Sequence, residues 1–416
     1  MIKRIFMFII FSTLAYSEEI SLDKLLEQLN NTFYQREIFE NTKDFNITKK
    51  NTLKLREYNG IHTSYDLSHE NKENKTFEST GEVKYGNFYV KGSKNKNNDT
   101  FGFGVEKNLK DLVYSKYDSD LKKLTYEENK NKVQYLKKLQ QEKISLINLY
   151  KDIKNIESEI SIKNNALKVL QEQKNIINNS YKLGKTSKID LETSIYNHKN
   201  ILMEVNYLVN QLKTLKEQFF YKYNININNF KLKKIDSYSG LDKINLKKID
   251  QLDLKELELE ENILKETIKY QKYSNKIPDI TLGLEKHDDS KIVLKFSKKL
   301  FYKDIDLIGN TNELMEKKIL LNQKINDLES TKYEIQNNIS EFEKEVLILR
   351  NQQYLDENIY NIKLLENKYG KAKYIDVIEA FDKYIKTSVN LEKEINKLNA
   401  YIYIVKVRGE DLWNIN

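Results

Sequence analysis

Asp376 and Glu379 follow Gly370 by six and nine positions, and their spacing of three turns both carboxylates to one side of a helix. A third acid, Asp190, stands six positions after Gly184 in a matching stretch. On sequence alone their work is electrostatic: acids in the first turn of a helix complement the positive end of its dipole. The rest of the chain holds no constellation suited to bond chemistry. The four histidines, His62, His69, His198 and His287, form no i, i+4 pair and no histidine–carboxylate triad, and the chain has no cysteine. No catalytic, cofactor-binding or metal site is therefore expected.

The acids must be positioned by the turns that precede them. From about Lys303 to Arg408 the chain reads as two long helices joined by Lys368–Glu379. Approaching the turn, apolar residues recur at Leu314, Leu321, Ile325, Leu328, Ile335, Ile339, Phe342, Val346 and Leu349. Beyond it they return at Ile378, Phe381, Ile385, Ile395, Leu398, Ile402 and Val405. Such gaps of three, four and seven make a seam along one face of each helix. Gly370 falls where a helix ends and a positive φ without a Cβ is useful.

The device occurs twice. Gly184-Lys185 with Ile189-Asp190 matches Gly370-Lys371 with Ile375-Asp376. The helix before the first turn carries Leu139, Leu146, Leu149, Ile153, Ile156, Ile160, Leu167, Leu170 and Ile177, and the helix after it Ile195, Leu202, Val205, Val209, Leu212 and Phe219. Two long helical hairpins in one chain imply an internal duplication.

At the start, Lys3 and Arg4 precede the apolar run Ile5–Leu14, and Ala15-Tyr16-Ser17 offers small residues for cleavage, so residues 1–17 read as a signal peptide. That run is shorter than the ~20 apolar residues a spanning helix needs. Any membrane crossing is then left to β-strands. One proline and 12 glycines in 416 residues suit long helices. The net charge of +8 is spread along the chain without a basic patch interleaved with aromatics, so no nucleic-acid partner is expected.

Ser21 to about Tyr58 reads as a helix with Leu22, Leu25, Leu26 and Leu29 on one stripe and Ser21 as N-cap. At Gly60 the period drops to about 2. Ile61, Thr63, Tyr65 and Leu67 alternate with polar residues, and Val83, Tyr85, Phe88, Val90, Phe101, Phe103 and Val105 predict two or three further strands with a turn at Ser93–Asp99. The excess length between His69 and Phe101 is an extra strand pair or a long loop. The second half has one such hairpin, opened by Pro278: Ile280, Leu282 and Leu284, a turn at His287–Ser290, then Ile292, Leu294 and Phe296. Tyr65, Tyr85 and Tyr89 suit a membrane interface. Strands so few cannot close a barrel alone, but several chains can pool theirs. Each long helix, at 60–70 residues, would extend ~100 Å.

With its Ser21-Leu-Asp-Lys-Leu-Leu opening, a strand hairpin inside each helical repeat, and paired turns at Tyr181-x-x-Gly184 and Tyr369-Gly370, the chain resembles the TolC-like outer-membrane efflux and secretion channels. The resemblance implies a mainly α, α+β fold of two repeats, trimeric, with a helical periplasmic tunnel continuous with a shared outer-membrane β-barrel. The divisions are then 1–17 signal peptide, 18–223 first repeat (strands about 59–109, hairpin 110–223), 224–250 inter-repeat equatorial segment, 251–408 second repeat (strands about 279–298, hairpin 303–408), and 409–416 tail. It implies a passive exit duct, not an enzyme, lodged in outer-membrane lipid and served by a periplasmic adaptor and an inner-membrane RND or ABC transporter.

By the same resemblance Asp376, Glu379 and Asp190 line the periplasmic entrance, while Gly184, Gly370, Lys185, Lys371, Tyr181 and Tyr369 form the helix turns and meet the adaptor. The chain departs from the family's pattern at Ala372 and Asn367, where an arginine and a tyrosine are expected, so the lock that closes the entrance is not the usual one. A periplasmic coiled-coil adaptor is the alternative reading. It would carry one hairpin flanked by β segments rather than two hairpins with strands inside them.

Overall fold

The computed structural model describes residues 19–55, 60–70, 76–94, 99–228, 230–235, 249–286, 290–298 and 303–410. The expected signal peptide, part of the 93–99 turn and most of the 287–290 turn lie outside them. A two-residue strand, β1 (Glu19–Ile20), leads to Ser21, whose Oγ accepts the Lys24 N–H at 3.3 Å and starts α1 (Leu22–Thr32). The single helix expected here is two, because Phe33 leaves the helix with extended backbone and a buried side chain before α2 (Gln35–Lys54) begins.

Then come β2 (Ile61–Glu70), β3 (Thr76–Tyr85), β4 (Phe88–Lys94) and β5 (Asp99–Asn108). The excess between His69 and Phe101 is thus a strand pair, and the predicted turn at Ser93–Asp99 is narrower, since Ser93 faces Thr100 and Lys94 faces Asp99. A short α3 (Lys110–Val113) precedes α4 (Lys116–Lys182) and α5 (Lys188–Tyr223). After β6 (Lys231–Leu232) the pattern returns as α6 (Gln251–Lys276), β7 (Asp279–Lys286), β8 (Ser290–Ser297), α7 (Ile305–Lys368) and α8 (Tyr374–Arg408). Only α4 and α7, at 67 and 64 residues, reach the expected length; α5 and α8 have 36 and 35. Among the described residues no helix is long and apolar enough to cross a membrane.

The chain divides into two compact units. The first takes residues 19–33, 139–249 and 330–410 of those described. Its main core gathers Leu25, Leu146, Ile147, Ile153, Phe219 and Ile227 around Tyr150, all fully buried. The Tyr150 hydroxyl shares its one hydrogen between the carbonyls of Lys233 (2.6 Å) and Ile20 (3.2 Å), and Lys154 Nζ donates to that of Leu232 (2.6 Å). These bonds hold the parallel β1–β6 pair, a contact without periodicity that the sequence did not announce.

The second unit takes residues 34–138 and 250–329 of the chain. It contains all of the antiparallel sheet β2-β3-β4-β5-β7-β8. Its helices share only a small apolar cluster, Val133, Leu136, Leu252 and Leu259. Ion pairs supplement it. Asp253, Glu256 and Glu260 project from one side of α6; Asp253 meets Lys137 and Lys324 at 2.7 Å, Glu256 meets Lys137 at 2.8 Å, and Glu260 meets Lys130 (2.5 Å) and Lys317 (2.6 Å). Partial burial raises each carboxyl's pKa, but the lysine hydrogen bonds outweigh it and hold all three below the ordinary carboxylate range.

A carboxyl depressed in the folded state contributes stability that is complete above its unfolded pKa and is lost as pH falls through the folded value. Melting temperature followed by circular dichroism should therefore fall as pH drops below the ordinary carboxylate range of about 4. Asp253→Asn with Glu260→Gln should flatten that slope; identical slopes for variant and wild type would mean the zipper adds nothing to folding.

Candidate functional site

Both hairpin turns lie in the first unit and close by the same bonds. After α4, the Lys185 N–H donates to the Ser180 carbonyl and the Gly184 N–H to that of Tyr181, each at 2.9 Å. After α7, the Lys371 N–H donates to Glu366 (2.7 Å) and the Gly370 N–H to Asn367 (2.9 Å). This is the Schellman arrangement, with glycine left-handed at φ 66° and 73°. A Cβ at either glycine would meet nothing within 4 Å, so the backbone angle and not the space calls for glycine.

The next helix starts three residues on. Ser187 caps α5, its Oγ accepting the Asp190 N–H at 3.1 Å and donating to Asp190 Oδ2 at 2.7 Å. Lys373 holds the same place before α8 and its ammonium cannot accept a hydrogen bond. There the aspartate does the capping, Asp376 Oδ2 accepting the Lys373 N–H at 3.1 Å. Asp190 and Asp376 are each the third residue of a helix. The six-residue interval from glycine to aspartate is therefore the distance from one helix end to the next helix's first turn, and both acids also complement its dipole. Both are half-buried, whereas Glu379 is exposed. Among the described residues no hydrogen bond or ion pair joins these three acids to one another.

Asn367, at one of the two departures from the family's pattern, donates from Nδ2 to the Ala372 carbonyl at 2.9 Å and ties the second turn across its mouth. Lys185, Lys371, Tyr181 and Tyr369 are exposed, as are the apolar neighbours Leu183, Ile189 and Ile375.

Beneath the turns sits a buried polar chain that sequence reasoning missed. The Tyr374 hydroxyl donates to Gln173 Oε1 at 3.2 Å and Gln173 Nε2 donates to the Tyr360 hydroxyl at 2.9 Å. Around it pack Ala166, Leu170, Ile177, Val377, Ile378 and Phe381. Burial, then Tyr360, Asp190 and Asp382, push the Tyr374 hydroxyl pKa well up, so it stays a neutral donor. Its place one heptad before Phe381 was the available signal. Further along the same hairpin Asp356 is buried but fully engaged. It receives Lys383 at 2.9 Å, and Thr387 Oγ1 and Gln352 Nε2 at 2.8 Å each. Burial raises its pKa, and those three donors bring the net shift below the usual range.

Two helices carry a second, outward seam. On α5, Ile195, Leu202 and Val209 repeat at heptad spacing and are exposed, while Val205 and Phe219 of the same helix are buried. On α7, Ile348, Leu355 and Ile362 do likewise, at 54%, 51% and 54% exposure. The α5 apolar series expected as one seam is therefore two.

In the second unit, register sorts the sheet into unlike faces. Ile61 opposes Tyr85, Thr63 opposes Val83, Val90 opposes Phe103, and Leu284 opposes both Val105 and Ile292. These residues share one face with Leu67, Phe88, Phe101, Leu294 and Phe296, and its large apolar members are exposed. The other face carries Ser64, Asp66, Glu82, Lys84, Lys91, Glu106 and Lys295. An exposed face this apolar and continuous belongs against lipid or protein.

Neither family models nor curated proteins match the chain. Solved structures do. The outer-membrane protein VceC from Vibrio cholerae aligns over 92% of this chain and 96% of its own, with a TM-score of 0.63 and 12% identity. The outer-membrane channel OprN aligns over 94% and 90%, TM-score 0.66, identity 10%. The open state of the Neisseria gonorrhoeae outer-membrane channel MtrE aligns over 94% and 89%, TM-score 0.60, identity 11%. The chain has the TolC-like outer-membrane channel fold.

Within this TolC-like chain the tyrosines expected together at a membrane interface divide. Tyr65 and Tyr85 are exposed on the apolar face, but Tyr89 lies on the other, buried across β5. Gly104 makes room for it, since a Cβ there would come within 2.6 Å of the tyrosine ring.

The turn geometry predicts the cost of adding a Cβ. Gly184→Ala and Gly370→Ala should each destabilise by about 1–2 kcal/mol through the left-handed angle. Gly309→Ala, inside α7, should stabilise by up to about 1 kcal/mol. Chemical denaturation measures all three; a Gly370→Ala protein as stable as wild type would mean the turn does not need that angle.

Proposed function

We propose that this chain is the outer-membrane exit duct of an efflux or type I secretion system, working without chemistry of its own. The observation that carries the reading is the sheet, apolar and exposed on one face, polar on the other, on a chain with the TolC-like fold. Alternation of this kind is what a strand needs when one side meets hydrocarbon and the other water. After removal of residues 1–17 the mature chain resides in the outer membrane and reaches into the periplasm, the first repeat supplying four strands and the second two.

The working unit is a homotrimer. The outward seams on α5 and α7 differ in sequence, so they suit a head-to-tail ring in which one copy's α5 meets the next copy's α7. The exposed tips around Leu183, Ile189, Tyr369 and Ile375, with Lys185 and Lys371, present an apolar and basic surface to a periplasmic adaptor, which brings an inner-membrane RND or ABC pump. Asp376 and Glu379, with Asp190, ring the entrance and favour cations there.

Two measurements test this reading. The protein should fractionate with sarkosyl-insoluble outer membrane and run as a trimer in detergent; a monodisperse monomer that conducts in planar bilayers would contradict it. For the entrance, Asp376→Asn with Glu379→Gln removes charge but leaves an acceptor for the Lys373 N–H. The double variant should lose cation preference, seen as a reversal potential closer to zero in a salt gradient, with the trimer intact. An unchanged reversal potential would leave both acids as helix-capping residues only.

A further inference from the structure

The sheet is open. In the order β2-β3-β4-β5-β7-β8 every neighbouring pair is antiparallel, so β2 and β8 are the two edges, and with an even number of strands they run in opposite directions. Neither Ile61–Glu70 nor Ser290–Ser297 contains proline, and each pairs on one side only, which leaves the outer N–H and C=O groups of both strands ready to pair. Six strands are too few to close on themselves, the smallest filled barrels having about 8. In hydrocarbon an unpaired edge is not tolerated.

We infer that β8 of one copy pairs antiparallel with β2 of the next, so that three copies close an eighteen-stranded barrel in which the β3–β4 pair forms part of the wall. This rests on the trimer proposed above and specifies its strand count, edges and width. Face and charge both fit the junction. With the apolar faces aligned, Ile61, Tyr65 and Leu67 of β2 continue the row of Ile292, Leu294 and Phe296. On the polar side β8 brings Lys291 and Lys295 toward a β2 that carries Asp66.

The β3–β4 pair decides the bore. Strands ~4.8 Å apart and tilted ~40° give a barrel of 18 strands a backbone-to-backbone diameter of about 36 Å. Without β3 and β4 the same construction gives 12 strands and about 24 Å. The wider lumen, lined by the Lys, Glu, Asp and Ser side chains of the polar face, takes hydrated solutes of polymer size, such as an extended polypeptide.

The chain has no cysteine, so engineered disulfides report without background. Ser64→Cys on β2 is combined in turn with Lys291→Cys, Val293→Cys and Lys295→Cys on β8, which covers neighbouring registers. Oxidation in outer membranes should give an SDS-resistant ladder ending at three copies for at least one pair. A ladder ending at another number overturns the trimer but keeps the edge pairing. Cross-linking of Val293→Cys to Lys91→Cys on β4, with none to Ser64→Cys, keeps the trimer and overturns the eighteen-strand wall. No cross-link at any of these positions overturns closure by these edges. As a second readout, deleting residues 76–94 should lower the largest polyethylene glycol that enters the pore from the outer side; an unchanged cut-off also overturns the role of β3–β4 in the wall.

Discussion

A strand surrounded by hydrocarbon has no water to satisfy its backbone, and each unpaired N–H or C=O costs several kcal/mol there. In the membrane setting proposed above, that constraint governs the sheet of this chain more strictly than any side-chain contact. The β2–β3 and β7–β8 pairings run the full length of their strands and three more join the rest, with no proline inside a strand. Side chains are sorted as two different solvents on the sheet's two faces would require. Apart from Val293, the large apolar residues of the strands lie on one face, and the bulky aromatic on the other, Tyr89, is folded down over Gly104 instead of standing upright.

The helices answer to a different constraint. They are stabilised in water, where burial of apolar surface is favourable, yet mean hydropathy is only −0.70. Small clusters such as Val133, Leu136, Leu252 and Leu259 supply limited burial, and lysine–carboxylate pairs along α6 add orientation to it. Two polar groups buried along the α7–α8 hairpin are well bonded there: Asp356 has three donors, and the Gln173 amide links two tyrosines. Such networks fix which helix faces meet, since any other rotation would leave a buried group without a partner.

Much of this was legible in the sequence because its signals are local and periodic. Alternation located the strands, and the glycines marked both turns. What stayed hidden depends on partners. A heptad repeat says that a face is apolar but not what covers it, so Ile195, Leu202 and Val209 looked continuous with Val205 and Phe219 though they face outward. Asp253, Glu256 and Glu260 resemble any solvated acidic stripe until the lysines of other helices are beside them. The break at Phe33 interrupts no apolar pattern, and a two-residue pair such as β1–β6 is too short to have one. At the turns the glycine-to-aspartate interval was visible, whereas the capping bonds that account for it required coordinates.

The pairing of β5 with β7 has a consequence for the order of events during biogenesis. Asn108 and Asp279 touch across 171 positions of chain, whereas the helix turns and the β7–β8 hairpin join residues close in sequence. Local contacts form early because little loop entropy opposes them, and a closure this long comes late. Helices can thus wind while the strands of the two halves are still apart, and the continuous apolar face exists only once they meet. For the exported duct proposed above, a new chain would in that way be kept from displaying its continuous apolar face in water before it meets the membrane.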